Sequence, residues 1–195
     1  MYVRDARNRD EAWLLDQIEA MSLDDVAFRS RDYVIAVDEE SDQKAGFGRY
    51  RVHKTDDGAV CELTGIGVLE SWRGQGVGAH VIERLVDTAA AEGFETVYTI
   101  TDSAAFLEQF GFERIDPSTE GVPEIIADRV EQKRDTVGDD VVTLALAIDA
   151  FEMPDRLRER FKTAAEAAAD PEPEETAEDF GIDPEKATYK YDTGR

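Results

Sequence analysis

Arg73-Gly74-Gln75-Gly76-Val77-Gly78 is the stretch on which the reading of this chain turns. Glycines at alternate positions neither extend a strand nor support a helix, so the segment is a loop. Before it, Val60-Cys61-Glu62-Leu63-Thr64-Gly65-Ile66-Gly67-Val68 reads as a hydrophobic strand. After it, residues 79–92 repeat apolar side chains at helical spacing (Val81, Ile82, Leu85, Val86, Ala89), and Gly93 stops them. The unit is strand, glycine loop, helix. A helix N-terminus offers unpaired N–H groups and about half a positive charge, and glycine removes the Cβ atoms that would keep an anion away. The loop therefore reads as a phosphate cradle. A tight strand-to-helix connection is the plainer alternative. The spacing departs from Gly-x-Gly-x-x-Gly, and no Lys-Ser/Thr follows the glycines, which disfavours a nucleotide hydrolase.

Outward from this unit, strands are expected at 2–6, 32–37, 45–52, 60–68, 96–101, 112–115 and 141–148. Helices are expected at 10–21, 79–92, 104–110, 123–134 and 154–169. The last of these is amphipathic through Leu157, Phe161, Ala164 and Ala168. Beyond it the composition turns acidic and proline-bearing, so residues 170–195 are expected to form a disordered, solvated tail. The organisation read from sequence is thus a domain at 1–153, a C-terminal helix at 154–169 and a tail at 170–195.

Composition narrows the function classes. The 195 residues carry 45 Asp+Glu against 22 Lys+Arg, a net charge of -23. Nucleic acid and anionic lipid both need clustered positive charge, so neither is an expected partner. The acidity reads as adaptation to a salt-rich cytoplasm, where a short Debye length screens self-repulsion. No apolar run reaches the roughly 18 residues of a membrane span, and the first residues lack a secretion signal's plan. A cytoplasmic location is expected. Cys61 is the one cysteine, and His53 and His80 are the two histidines, so no metal centre is expected. Cys61 reads as a small core residue.

Arg73-x-x-Gly76-x-Gly78 resembles the Arg/Gln-x-x-Gly-x-Gly/Ala signature of the GNAT superfamily of acyl-CoA N-acyltransferases. Downstream, Phe106-Leu107-Glu108-Gln109-Phe110-Gly111-Phe112 is similar to the family's Phe-Tyr-Glu-Lys-x-Gly-Phe segment. The resemblance spans roughly residues 1–150 in element order as well as motif. It implies an α/β (α+β) fold: a mixed central sheet of about six to seven strands flanked by helices, with the fourth and fifth strands splayed apart. It implies acetyl-CoA as co-substrate, an amine as acceptor and no metal. The amides of Gln75 through Ala79, with Arg73 and Gly74, would take the diphosphate, placing Gly76, Val77 and Gly78 in the cradle. The pantetheine arm would lie along Ile66, Gly67 and Val68, with Gly65 and Gly67 marking the local opening.

The resemblance also implies chemistry. Glu62 would be the general base that removes a proton from the acceptor ammonium. Strand alternation puts Glu62, Thr64 and Ile66 on one face unless a bulge changes the register. A solvent-facing strand glutamate is the alternative. The oxyanion would be held by backbone N–H groups near Gly67. The tyrosine that commonly protonates the leaving thiolate is Leu107 here, so Ser103, Tyr98 or water must substitute. A Gly76→Glu change is expected to abolish CoA affinity. The helix at 123–134, between the last two strands, resembles the acetylglutamate-synthase-like branch and favours an amino-acid-like amine over a protein lysine or N-terminus. A non-catalytic acyl-CoA sensor is the competing function. The sequence leaves a monomer and a homodimer both open.

Overall fold

The computed structural model describes residues 1–23 and 26–164. Seven strands form one sheet: β1 Tyr2–Asp5, β2 Tyr33–Val37, β3 Lys44–Thr55, β4 Gly58–Val68, β5 Thr96–Thr101, β6 Glu113–Ile115 and β7 Val142–Ala147. Their order is β1-β2-β3-β4-β5-β7-β6, antiparallel throughout except for the parallel β4–β5 pair. The helices are α1 Glu11–Ala20, α2 Val77–Ala91, α3 Ala104–Glu108, α4 Glu124–Val137 and α5 Asp155–Lys162. Every strand and helix expected within the described residues is present. The expected helix at 154–169 has its described part at Asp155–Lys162, and the tail expected at 170–195 lies outside the described residues.

Packing follows from the periodicities. The α2 side chains Val81, Ile82, Leu85, Val86 and Ala89 bury against Val34, Ala36, Cys61, Leu63 and Leu146 on one sheet face. Leu157 and Phe161 of α5 join the same core, so the C-terminal helix is part of the domain's interior. On the opposite face, Leu14 and Ile18 of α1 pack with Tyr33, Ile35 and Phe47, while Val130 of α4 packs with Ile100 and Val141. Fully burying one such side chain is worth about 1.5–3 kcal/mol.

Two departures from a regular sheet position the site. Phe47 faces Gly67 but Arg49 faces Thr64, so two steps along β3 match three along β4. The extra residue is accommodated at Gly65, whose φ is +56°, a conformation that favours glycine. This bulge corrects the expected face: Ile66 and Val68 pack on the same core as Cys61 and Leu63, leaving Glu62 and Thr64 on the other side. Second, β4 and β5 pair only at Cys61↔Val97, Glu62↔Tyr98 and Leu63↔Thr99. Beyond that point the two strands no longer pair with each other, although β4 stays on β3 and β5 on β7. This is the splayed pair expected from the sequence.

Candidate active site

The splay opens into a cavity of about 940 Å³. One wall is the free β4 segment (Thr64, Gly65, Ile66, Val68), and the facing wall is the end of β5 with Asp102 and Ser103. At its far end lie Arg73, Gly74 and Gly76 of the loop, then Val77, Gly78 and Ala79 of the first turn of α2. A helix's first-turn amides have no carbonyl one turn earlier to bond. Gly74 and Gly76 take φ values of +74° and +78°, which turns the chain sharply from the Glu70–Trp72 turn into α2. Trp72, almost fully buried, anchors that turn.

Near the β4 bulge the polar groups converge. Glu62 is 0% exposed and its carboxylate is tightly held: His53 Nε2 lies at 2.8 Å, Arg129 Nε donates at 3.0 Å, and Lys133 Nζ is 3.9 Å away. Burial alone would raise the Glu62 pKa. The His53 hydrogen bond and the charges of Lys133 and Arg129 outweigh it and hold the group at about 2. Lys133 also donates to the Ile100 carbonyl at 2.8 Å and reaches the cavity wall, while Glu62 stays behind it. The Thr64 hydroxyl has no hydrogen-bond partner among the described residues, although Thr64 is nearly buried and lines the cavity. Ser103 donates to Asp102 at 3.0 Å, and Asp102 is the one carboxylate residue on the cavity wall among the described residues.

A sheet splayed between its fourth and fifth strands, with a glycine loop feeding a helix N-terminus at the mouth, agrees with the sequence profile that matches residues 2–112, more than half the chain. That profile is the acetyltransferase (GNAT) family. The chain belongs to the GNAT family. No curated protein sequence matches it significantly. Among solved structures, this GNAT chain is similar to Rv2747 from Mycobacterium tuberculosis, in complex with CoA and NLQ (TM-score 0.61, 18% identity, 75% of this chain and 99% of that one). It is also similar to N-acetylglutamate synthase from Neisseria gonorrhoeae complexed with CoA and N-acetyl-glutamate (TM-score 0.58, 15% identity), covering 75% of this chain but only 34% of that one. Naa50 from Arabidopsis thaliana, bound to a bisubstrate analogue CoA-Ac-MVNAL, has a TM-score of 0.51 at 15% identity, over 73% of this chain and 95% of that one. At these identities the likeness is one of fold.

Of the GNAT positions read from sequence, Ile66, Val68, Arg73, Gly74, Gly76, Val77, Gly78, Ala79 and Ser103 line the cavity. Gly67 and Gln75 do not. A side chain at Gly67 would run into Met21 and Phe47, and the Gln75 amide donates to the Ser71 carbonyl at 3.2 Å. Tyr98 is also off the wall, and Leu107 is buried at the cavity's edge. Cys61 is buried and its thiol is pushed up to about 12, chiefly by desolvation, so it is inert. Sequence reasoning missed Lys133, Arg129, Asp102, Arg156 and Arg160. The α4 residues carried a faint signal: Arg129 and Lys133 are four apart, on one face of a helix.

Proposed function

We propose that this GNAT protein transfers an acetyl group from acetyl-CoA to a primary amine, with an amino-acid-like acceptor favoured over a protein lysine or N-terminus. The observation that carries the reading is the unpaired β4 edge beyond Leu63, which leads from the glycine loop to the polar cluster around Thr64. A pantetheine arm adds to such an edge as a strand would, by backbone hydrogen bonds. The loop amides and the first turn of α2 take the diphosphate. The acceptor preference draws support from α4, which fills the connection between β6 and β7, and from the N-acetyl-glutamate in the Neisseria gonorrhoeae complex.

In the reaction the amine nitrogen attacks the thioester carbonyl carbon. A C–N bond forms, the C–S bond breaks, and CoA leaves as thiolate while the amine sheds a proton. Backbone N–H groups of the cavity-lining β4 edge, with the Thr64 hydroxyl, hold the carbonyl oxygen as it gains charge. Glu62 is the carboxylate expected from sequence to act as base. Sealed off and held near pKa 2, it would accept a proton from an ammonium only weakly, so its part is to fix Lys133 and Arg129. Asp102, on the wall, accepts the proton. Water or Ser103 protonates the thiolate, whose conjugate thiol has a pKa near 8.5, so delayed protonation is tolerable.

The test is CoA release from acetyl-CoA with a panel of amines at high salt, wild type against Asp102→Asn. The variant is expected to lose at least about tenfold in kcat while still binding acetyl-CoA. Full activity in the variant removes Asp102 from the base role. Leu107 and the sealed Glu62 favour one second reading, a non-catalytic acyl-CoA sensor. That reading takes over when acetyl-CoA binds but no amine raises CoA release.

A further inference from the structure

Helix α5 lies outside the family match at residues 2–112, yet it is seated on the glycine loop. A Cβ placed on Gly76 would come within 2.3 Å of the Leu157 carbonyl oxygen, so the two backbones are in direct contact. The Phe161 ring stacks on His80 at 3.8 Å with planes 10° apart, and Arg158 pairs with Glu83 of α2 at 2.8 Å. This docking sets Arg156 and Arg160, one helical turn apart, on the cavity wall beside Gly74 and Gly76. Gly74 and Gly76 remain on that wall, so the helix and the loop form it together.

The cations at this cavity mouth are held differently from most arginines nearer the core. Arg4, Arg49, Arg84, Arg114, Arg129, Arg134 and Arg158 each pair with a carboxylate. Arg73, Arg156 and Arg160 bond neutral oxygens instead: the Val68 carbonyl, the Gln109 side chain and the Gly74 carbonyl. Among the described residues no carboxylate lies within 4 Å of any of the three. In a chain of net charge -23, cations without acidic partners around one cavity mouth mark where an anion belongs. Arg160 uses Nη1 on Gly74, which leaves its remaining donors to offer a fork to a phosphate.

We infer that α5 is a working part of the ligand site, with Arg156 and Arg160 joining Arg73 to hold the phosphate groups at the nucleotide end of CoA. The inference rests on the acetyl-CoA reading above. It adds a second wall to the phosphate site, built from a segment outside the matched family region. Electrostatic cost is thereby met locally, since the surrounding acidic surface would otherwise repel a tetra-anionic ligand.

The experiment is calorimetric titration of full-length wild type, Arg156→Ala/Arg160→Ala and Arg156→Lys/Arg160→Lys with CoA and with dephospho-CoA at fixed salt. Arg84→Ala/Arg134→Ala, which removes the same charge away from the cavity, is the control. The alanine pair is expected to weaken CoA at least about tenfold, the lysine pair less than about threefold, and the control less than about twofold. If the alanine pair also erases the difference between CoA and dephospho-CoA, the arginines hold the ribose 3′-phosphate. An equal loss for both ligands assigns them to the diphosphate. Unchanged or tighter CoA binding in the alanine pair, or an equal loss in the control, overturns the inference while the acetyl-CoA reading stands. Failure of the wild type to bind CoA overturns both.

Discussion

Gly76→Ala separates the two structural demands placed on the loop. The residue sits at φ +78°, where a Cβ costs roughly 1–3 kcal/mol. That Cβ would also meet the Leu157 carbonyl oxygen at 2.3 Å and the Phe161 nitrogen at 3.2 Å. Both are helix backbone atoms and cannot swing aside, so α5 must shift as a body. Any shift of the helix loosens the contacts of Leu157 and Phe161, whose burial is worth roughly 1.5–3 kcal/mol each. The net loss is expected at roughly 2–4 kcal/mol, or about 5–15 °C in Tm for a domain of this size. Gly74→Ala is the matched control: its φ is +74°, yet its Cβ would meet nothing within 4 Å, so it carries the conformational cost alone. Thermal unfolding gives the stability. Trypsin gives the location, because a released α5 presents Arg156, Arg158, Arg160 and Lys162 for cleavage. If Gly76→Ala and Gly74→Ala unfold within about 1 °C of each other with equal trypsin protection, the docking of α5 on the loop is wrong. By the same geometry a Gly76→Glu side chain starts toward α5, so its loss of CoA affinity would report helix release as well as a blocked cradle.

Other outcomes follow from the polar cluster. Glu62→Gln leaves Arg129 and Lys133 without their shared carboxylate and should destabilise by roughly 3–5 kcal/mol near neutral pH, read by denaturant unfolding. Because the folded pKa of Glu62 is depressed from 4.5 to about 2, its stabilisation is complete above the unfolded value. It is lost as pH falls from about 4.5 toward about 2, so the gap between wild type and variant should close across that window. A gap that stays constant to pH 2 would show that Glu62 does not carry the charge assigned to it. Thr64→Val removes a buried hydroxyl lacking a partner while keeping its shape, so Tm should hold or rise by up to about 3 °C. CoA release should fall at least about fivefold if that hydroxyl serves the thioester. A variant with both lower Tm and unaltered turnover would place the hydroxyl in structure instead.

What the sequence made legible was local. The periodicity from Val81 to Ala89, the β-branched run at Thr96–Thr101 and the glycine spacing at 74, 76 and 78 each encode their conformation within a few residues, and the structure follows them. The bulge at Gly65 was not legible, because a glycine in a strand marks an opening without fixing which neighbour gains the extra residue. That single step of register decides which β4 side chains share a face with Glu62, so face assignments beyond it fail together. The Glu62 environment was illegible for a different reason. His53, Arg129 and Lys133 arrive from β3 and α4, 9 and 67 residues away in the first two cases, and only the closed sheet makes them neighbours. A buried carboxylate in such company stays charged, whereas the same residue facing solvent would have been free to take protons. Chemistry assigned from a position on a strand is thus conditional on what other elements bring to it, and in this fold α4 and α5 are the elements that bring the cations.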